Sequence, residues 1–222
     1  PPLAELMATL PKASPAPDVR IISRDEPAPA GGYHAPLLSL PGIFGTKLDT
    51  IPAQVPYLAV PPAKSAAWAA FPFARGLNVG LVWSGNPGRQ DDHMRSCPVA
   101  YLAPLFENGA ARFYGLGKNP APEPPAEIID LGPVLSDFGD TAAVMERLDL
   151  VISVDTAAAH LAGALGRPVW VMLGHGADWR YLLDREDSPW YPTMRLFRQK
   201  APGDWLSVTR RVAEELRRFQ RP

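Results

Sequence analysis

The sequence predicts an α/β protein with a doubly wound parallel sheet, and three observations favour that class. From Leu77 onward, strand and helix patterns alternate at regular spacing, as they do in βαβ units. The strand patterns are continuous apolar runs such as LVISV at Leu150–Val154, which is typical of strands covered by helices on both faces. Gly166 ends a helix pattern just before Pro168 opens the next strand, as is common at αβ junctions.

Five or six strands are expected after residue 76, because apolar runs there are bounded by Gly, Pro, Asn or Asp. The expected strands cover residues 77–83, 111–116, 128–131, 150–154, 168–173 and 194–197. Helices are expected between and after them, where apolar residues recur at helical spacing. The expected helices cover residues 98–106, 141–148, 157–165 and 206–218, and the last is basic on its exposed side. These elements suffice for one doubly wound domain, which we place at residues 76–222.

The front of the chain has a different character. Proline makes up 27 of the 222 residues, about 12% where roughly 5% is usual, and the prolines crowd the first 65 residues. A short amphipathic helix is expected at 3–10, a strand at 19–23, a tight turn at 42–46 and a brief helix at 63–70. The chain begins Pro-Pro without an initiator methionine. We therefore expect a fragment in which residues 1–75 are the end of one lobe with its linker.

Composition excludes several classes of protein. Twenty-two basic and 23 acidic side chains give a formal charge of -1, so nothing attracts this surface generically to nucleic acid or anionic lipid. Cys97 is the single cysteine, so an internal disulfide is excluded. No cluster of Cys and His has the spacing of zinc ligands, and a lone cysteine fits a reducing, cytoplasmic setting. No apolar run reaches the ~18 residues of a membrane-spanning helix. Because the GxGxxG fingerprint is also absent, a nicotinamide dehydrogenase is disfavoured.

A first candidate binding motif follows the first strand. Ser84, Gly85 and Asn86 end it, and a polar loop with Arg89 and Arg95 comes next. Ligands of open parallel sheets bind at the carboxyl ends of the strands. Small residues there let the backbone approach a phosphate, and an arginine can neutralise it. The alternative is a surface loop of mixed charge.

A second candidate motif lies where strand 150–154 meets the next helix. Asp155 and Thr156 leave the strand as the helix opens, so the Thr156 hydroxyl and the N–H of Ala157 can converge on an anion. His160 lies one helical turn after Thr156 on the same face. The alternative is that Asp155 caps the helix and His160 is a satisfied core residue.

Weaker candidates remain open between two interpretations. Asp137 and Asp140 at a helix start could recognise a base or ribose, but helix capping explains both. The loop 178–192, which contains Trp179 and Trp190, could line a cleft or pack on its own tryptophans. Cys97 has no activating neighbour in sequence and is expected to be structural.

Three segments of the chain carry a family resemblance. They are GLVWSGNP with the following RS at residues 80–96, the run DFGDTAAVMERLDLVISVDTAAAHLAGALGRPVWVML at 137–173, and DWRYLLDREDSPWYPTMRLFRQ at 178–199. They resemble the glycosyltransferase-like region of bacterial tetratricopeptide-repeat proteins. That region is similar to the ADP-heptose:lipopolysaccharide heptosyltransferases, glycosyltransferase family 9, which have the GT-B fold. PLLSLPGIFGT at residues 36–46 matches the segment that precedes the C-terminal lobe in these proteins.

The resemblance implies a lobe that binds a nucleotide-diphosphate sugar. By the family pattern, Ser84 and Gly85 meet the diphosphate and Arg95 is a basic phosphate partner. The element Asp-Thr-Gly-x-x-His, which contacts the diphosphate and sugar, is matched here by Asp155, Thr156, Ala157 and His160, with alanine in place of glycine. The final helix is implied to cross back to the first lobe.

The implied reaction is inverting transfer to a hydroxyl acceptor without a metal or a tightly bound cofactor. Positive charge and helix N–H groups stabilise the departing nucleoside diphosphate while a carboxylate deprotonates the acceptor. In the family that base lies near the start of the N-terminal lobe, and no residue of this sequence matches it. The rival hypothesis is a non-catalytic module of a tetratricopeptide-repeat protein, which binds a nucleotide or a protein without chemistry.

Overall fold

A six-stranded, fully parallel sheet forms the centre of the molecule, with the strand order β3-β2-β1-β4-β5-β6. The computed structural model describes residues 3–10, 21–22, 25–27, 29–107, 109, 111–118 and 124–219. The strands are β1 Leu77–Val82, β2 Ala111–Gly115, β3 Ile128–Asp130, β4 Leu150–Val154, β5 Val169–Leu173 and β6 Met194–Arg198. All six expected strands of the second part of the chain are confirmed. The strand expected at 19–23 lies outside the described residues except for Ile21 and Ile22.

Eight α-helices accompany the sheet in the described part of the chain. They are α1 Ala4–Met7, α2 Leu40–Ile43, α3 Pro62–Trp68, α4 Asp92–Arg95, α5 Ala103–Phe106, α6 Phe138–Glu146, α7 Ala157–Ala164 and α8 Trp205–Arg218. Single 3-10 turns occupy Leu37–Ser39, Leu48–Thr50, Val99–Leu102, Gly132–Val134 and Trp179–Tyr181. The helix expected at 98–106 is therefore a 3-10 turn that continues into α5. The helix expected at 141–148 begins at Phe138, because Asp137 caps it with a hydrogen bond from the N–H of Asp140.

Two hydrophobic clusters cover the two faces of the sheet. One face packs against α6 and α7, and the other packs against α5 and α8. Gly80 of β1 makes room on the first face, since a Cβ there would lie 2.7 Å from Leu148 and 2.8 Å from Leu116. Residues of β4 and β5 are buried throughout, which explains why their sequences are apolar without alternation.

The front segment packs on the same domain. Leu6 and Leu58 are buried in the cluster on the α6 and α7 face. The N–H groups of Tyr57 and Leu58 donate to the Ala164 carbonyl at the end of α7. Helix α8 likewise packs on α5 and β6 of this domain. Its predicted contact with a first lobe, like the boundary predicted at residue 76, stays a prediction.

Candidate functional site

The candidate site lies where the strand order reverses. Strands β2 and β3 follow on one side of β1, and β4 lies on the other, so the loops after β1 and β4 diverge and leave a crevice between them. A cavity of about 290 Å³ occupies this crevice. Of the residues predicted for the site, it brings together Ser84, Gly85, Asn86, Arg89, Arg95, Thr156 and Ala157.

The loop after β1 is tied into a fixed shape. The Gly85 N–H donates to Ser96 Oγ at 2.9 Å, and Ser96 Oγ donates to Asp92 Oδ2 at 2.9 Å. A side chain at position 85 would displace the Asp92 carboxylate, since a Cβ would lie 2.5 Å from Asp92 Oδ1. These bonds hold α4 against the end of β1 and place Arg95, in the last turn of that helix, at the cavity wall.

The two arginines of this loop differ in what already binds them. Arg89 forms a two-pronged pair with Asp91 at 2.9 and 2.8 Å, and the hydrogen bond from Arg89 lowers the pKa of Asp91 to about 2. Arg95 is more enclosed, with its side chain 22% exposed. It donates to the Asp155 carbonyl and lies 3.8 Å from the Asp155 carboxylate. Arg95 is thus positioned by the second motif, whereas Arg89 is held by its own loop.

The second motif forms the opposite wall. Thr156 has an extended backbone and begins α7 without a capping bond from its side chain. Its Oγ1 lies 3.0 Å from Ser153 Oγ instead. The first N–H groups of α7, including that of Ala157, therefore face the cavity without a side-chain cap, which is the arrangement that binds anions at helix N-termini.

A second cavity of about 600 Å³ adjoins the first. The two cavities share Arg89, Arg95, Thr156 and Ala157 in their walls. The remaining lining residues of the second cavity come from the front segment, from the end of β4 and α7 and from the loop after β5: Leu37, Leu38, Pro41, Asp155, His160, Asp178, Trp179, Arg180, Trp190 and Tyr191. The aromatic loop 178–192 thus lines a cleft, and Trp179 packs edge-on against Trp190 at 6.2 Å between ring centroids.

Asp155 is held from two sides. The buried Tyr181 hydroxyl donates to Asp155 Oδ1 at 2.9 Å, while Arg95 binds the Asp155 backbone carbonyl. Burial and the neighbouring Asp155 both raise the pKa of Tyr181, so the phenol stays protonated as the donor. Asp155 therefore links the arginine of the first loop to the loop after β5. The N-cap position of α7 is occupied by Thr156, so Asp155 does not cap this helix.

His160 lies beside two tyrosine side chains of the loop after β5. Its ring stacks on Tyr181 with 6.1 Å between centroids, and its Nδ1 lies 3.3 Å from the Tyr191 hydroxyl. Burial lowers the pKa of His160. The positive charges of Arg180 and Arg95 also lower it, while the negative charges of Asp155 and Asp178 raise it by less than burial lowers it. The imidazole is accordingly neutral at pH 7.

Asp137 lines neither cavity. Its carboxylate caps α6 and lies 3.0 Å from Lys64 Nζ. The capping interpretation thus accounts for its geometry, and its role toward a ligand stays a prediction. Cys97 is buried, and burial raises the pKa of its thiol to about 12, which fits a structural role.

Sequence reasoning missed several residues of the first cavity. Lys118 follows β2 in the segment Gly115–Lys118 and donates to the Ser136 carbonyl. Leu116, Phe138 and Thr141 line the same cavity. The sequence did mark Lys118: in dinucleotide-binding folds the segment after the second strand carries an acidic residue, and here it carries a lysine. It did not mark Phe138, since only the tertiary fold brings the start of α6 beside the end of β2.

Two other kinds of feature do not occur in the described part of the chain. No group of three or more His, Cys, Asp or Glu side chains that could hold a metal ion occurs among the residues described. Within the same residues, the longest helices are too short or too polar to cross a bilayer.

Comparisons with known proteins connect this geometry to a family. Residues 125–175 match the model of glycosyltransferase family 9 (heptosyltransferase). That range contains β4 and the Asp155–His160 motif. Protein FlbA of Caulobacter vibrioides is 30% identical over 186 residues, which make up 77% of this chain and 30% of that protein. The chain thus spans less than a third of the curated relative it matches.

One solved structure shows the same fold, and another is a weaker match. The ADP-heptose lps heptosyltransferase II of E. coli superposes with a TM-score of 0.53 at 15% identity, over 77% of this chain and 55% of that chain. E. coli heptosyltransferase WaaC with ADP gives a TM-score of 0.46 at 20% identity, over 76% of this chain and 51% of that chain. The likeness to heptosyltransferase II confirms the predicted class, an α/β fold of GT-B type with a doubly wound parallel sheet.

Proposed function

We propose that this chain carries the donor site of a glycosyltransferase and binds a nucleotide-diphosphate sugar at the carboxyl end of its sheet. One observation carries the proposal: Arg95 and the uncapped N-terminus of α7 converge on the wall shared by the two cavities. A guanidinium and a set of free N–H groups facing one space form a site for a phosphate-bearing ligand. The match of residues 125–175 to a glycosyltransferase family supports a sugar nucleotide as that ligand.

The two cavities suggest how such a donor lies. The diphosphate sits at the shared wall, beside Arg95, Thr156 and Ala157. The nucleoside extends into the smaller cavity, whose lining includes the apolar side chains of Leu116 and Phe138. The sugar extends into the larger cavity. The similarity to an ADP-heptose lps heptosyltransferase makes ADP the first nucleotide to test.

The proposed chemistry is inverting and needs no metal. The acceptor hydroxyl attacks the anomeric carbon from the face opposite the diphosphate, and the bond to the diphosphate oxygen breaks. Arg95 and the N-terminus of α7 stabilise the negative charge that develops on the leaving group. A carboxylate takes the acceptor proton. We assign that base to no residue of this chain.

Calorimetry with ADP, UDP and GDP tests the donor site. We expect one of them to bind, and we expect Thr156→Val and His160→Ala each to weaken it by roughly 1–3 kcal/mol, as for a lost hydrogen bond to a charged group. Thr50→Val is the matched control, because this exposed threonine lines neither cavity. If no nucleotide binds at millimolar concentration, the chain has no donor site. Equal affinity in all variants would return Thr156 and His160 to structural roles.

Transfer and binding are separated by a second assay. The matching sugar nucleotide is incubated with the longest available form of the protein. If it binds but is neither hydrolysed nor transferred, the rival function is favoured, in which the chain is a non-catalytic nucleotide-binding module of a tetratricopeptide-repeat protein.

A further inference from the structure

A chain of three polar groups leads from the front segment to the candidate site. The hydroxyls of Tyr57 and Tyr191 lie 3.3 Å apart, and the Tyr191 hydroxyl lies 3.3 Å from Nδ1 of His160. Tyr191 is 9% exposed, and its ring rests on Gly163 of α7, one turn after His160. The hydroxyl has one proton, so it donates to one neighbour and accepts from the other.

The direction of this chain follows from the chemistry of its members. An unprotonated imidazole nitrogen is a far more basic acceptor than a phenol oxygen, while a phenol is a good donor. His160 is neutral, so one of its ring nitrogens carries a lone pair and the other a proton. The stronger pairing is therefore the Tyr191 O–H donating to Nδ1, with Tyr57 donating to Tyr191. The ring proton then stays on Nε2. Because Nδ1 is bound by Tyr191, Nε2 is the nitrogen available to a ligand in the cavity that His160 lines.

We propose that Tyr191 is a positioning residue: its hydroxyl fixes the tautomer of His160 so that the histidine offers a neutral Nε2–H donor to an oxygen of the donor substrate. The assignment of the ligand rests on the proposed function, whereas the tautomer is a property of the protein without ligand. His160 then contributes a directed hydrogen bond at the wall beside Thr156, and acts neither as a cation nor as a proton acceptor.

The surroundings agree with a directed donor. The Asp155 carboxylate is bound by Tyr181, and Asp178 is paired with Arg180 at 2.7 Å, so both nearby carboxylates already have partners of their own. The stacked Tyr181 ring and the Tyr191 hydroxyl together fix the plane and the rotation of the imidazole. An oriented, neutral N–H beside Arg95 adds specificity to a site whose charge the arginine supplies.

Nitrogen NMR of the ligand-free protein, labelled at its histidines, tests the tautomer. The His160 signals are assigned by their loss in His160→Gln. We expect a protonated Nε2 and an unprotonated Nδ1 at pH 7 in the wild type, and a mixture of both tautomers in Tyr191→Phe. Tyr181→Phe is the matched control, because it removes a hydroxyl from the same loop without touching Nδ1. A protonated Nδ1 or an imidazolium in the wild type overturns the proposal, and so does an unchanged tautomer in Tyr191→Phe.

A binding series tests what the tautomer does, with the nucleotide that binds the wild type best. The side-chain amide of glutamine can place an N–H donor near the position of Nε2, whereas leucine cannot. We expect His160→Leu to lose roughly 10- to 100-fold in affinity and His160→Gln to recover most of that loss. We expect Tyr191→Phe to lose roughly two- to tenfold. A glutamine variant as weak as the leucine variant overturns the donor role. If no nucleotide binds, the proposed function fails while the NMR result still decides the tautomer.

Discussion

At the scale of single residues, the contact between Gly163 and Tyr191 controls the aromatic wall of the site. A Cβ at position 163 would lie 2.5 Å from the Tyr191 ring, closer than any side chain tolerates. Gly163→Ala must therefore push the ring outward and break its hydrogen bond to His160. We expect a loss of roughly 1–3 kcal/mol in the free energy of unfolding, as for an overpacked core, together with weaker nucleotide binding. Urea unfolding and calorimetry measure the two effects.

Gly42→Ala is the control for that substitution. Gly42 lies in α2, and a Cβ added there would have open space around it, with no neighbouring atom within 4 Å. We expect its replacement to leave stability unchanged or slightly higher, because alanine reduces the freedom of the unfolded chain. If both variants unfold at the same urea concentration as the wild type, Tyr191 is not seated on Gly163 in solution.

Residue patterns predicted the near side of the site and missed the far side. The motif Asp155–His160 was visible because its members lie within six residues at a strand-to-helix junction. Tyr181 and Tyr191, which bind Asp155 and His160, lie more than twenty residues further along the chain, in a loop without periodicity. Sequence could mark that loop as a possible cleft lining. Only the fold shows which tyrosine binds which partner.

At the scale of elements, a largely buried ion pair fastens α3 to α6. Lys64 Nζ lies 3.0 Å from the carboxylates of both Asp137 and Asp140, and Trp68 Nε1 donates to Asp140 at 3.1 Å. The Asp140 side chain is only 9% exposed. Burial alone would raise the pKa of Asp140, but the hydrogen bonds from Lys64, Trp68 and the Ser136 N–H lower it.

Lys64→Met leaves the Asp140 carboxylate buried without its cation. We expect a loss of roughly 1–3 kcal/mol, the usual cost of a buried group that loses its partner, and chemical denaturation measures it. Lys200→Met is the control, because Lys200 is exposed in the loop before α8. Equal losses in both variants would show that removing any lysine, rather than breaking this pair, causes the effect.

The type of each long element was predictable, while several boundaries were not. The buried strands and α8 follow from apolar runs and from apolar residues at helical spacing, such as Val208, Val212 and Leu216. The true start of α6 depends on Asp137, whose capping role competed with a ligand-binding interpretation. Helix α3 carries no sequence sign of the pair that fastens it to α6, because Lys64 and Asp140 are 76 residues apart.

At the scale of the whole molecule, alternation of strands and helices predicted a doubly wound sheet but not the shape of its crevice. Two cavities with a common wall arise because the loops after β1 and β4 part at the reversal of strand order, and because the front segment and the loop after β5 close the larger cavity. Such long-range placement depends on packing between distant segments, for which a single sequence carries no periodic signal.

The pH dependence of global stability follows from the groups whose pKa values the fold lowers. Burial lowers the pKa of His160, so below its unfolded value of ~6.5 the unfolded chain binds a proton that the folded chain does not. Stability therefore falls as the pH drops below about 6.5. The pKa values of Asp137 and Asp140 are also lowered, against burial, by their hydrogen bonds with the Asp140 N–H, Lys64 and Trp68. Their contribution is present above the unfolded value of ~3.9 and is lost as the pH falls through the folded values.

Urea midpoints at pH 8, 7, 6 and 5 separate the histidine from the carboxylates. We expect the wild type to be equally stable at pH 8 and 7 and to lose stability between pH 6.5 and 5, and we expect His160→Gln to lose less over that interval because it has no proton to take up. Lys200→Met is the contrasting variant, because it removes an exposed charge and leaves His160 and the partners of Asp137 and Asp140 in place, so its loss between pH 6.5 and 5 should equal that of the wild type. If His160→Gln and the wild type decline in parallel, the imidazole is not buried in its neutral form, and the hydrogen-bond donor that the candidate site requires from His160 is lost with it.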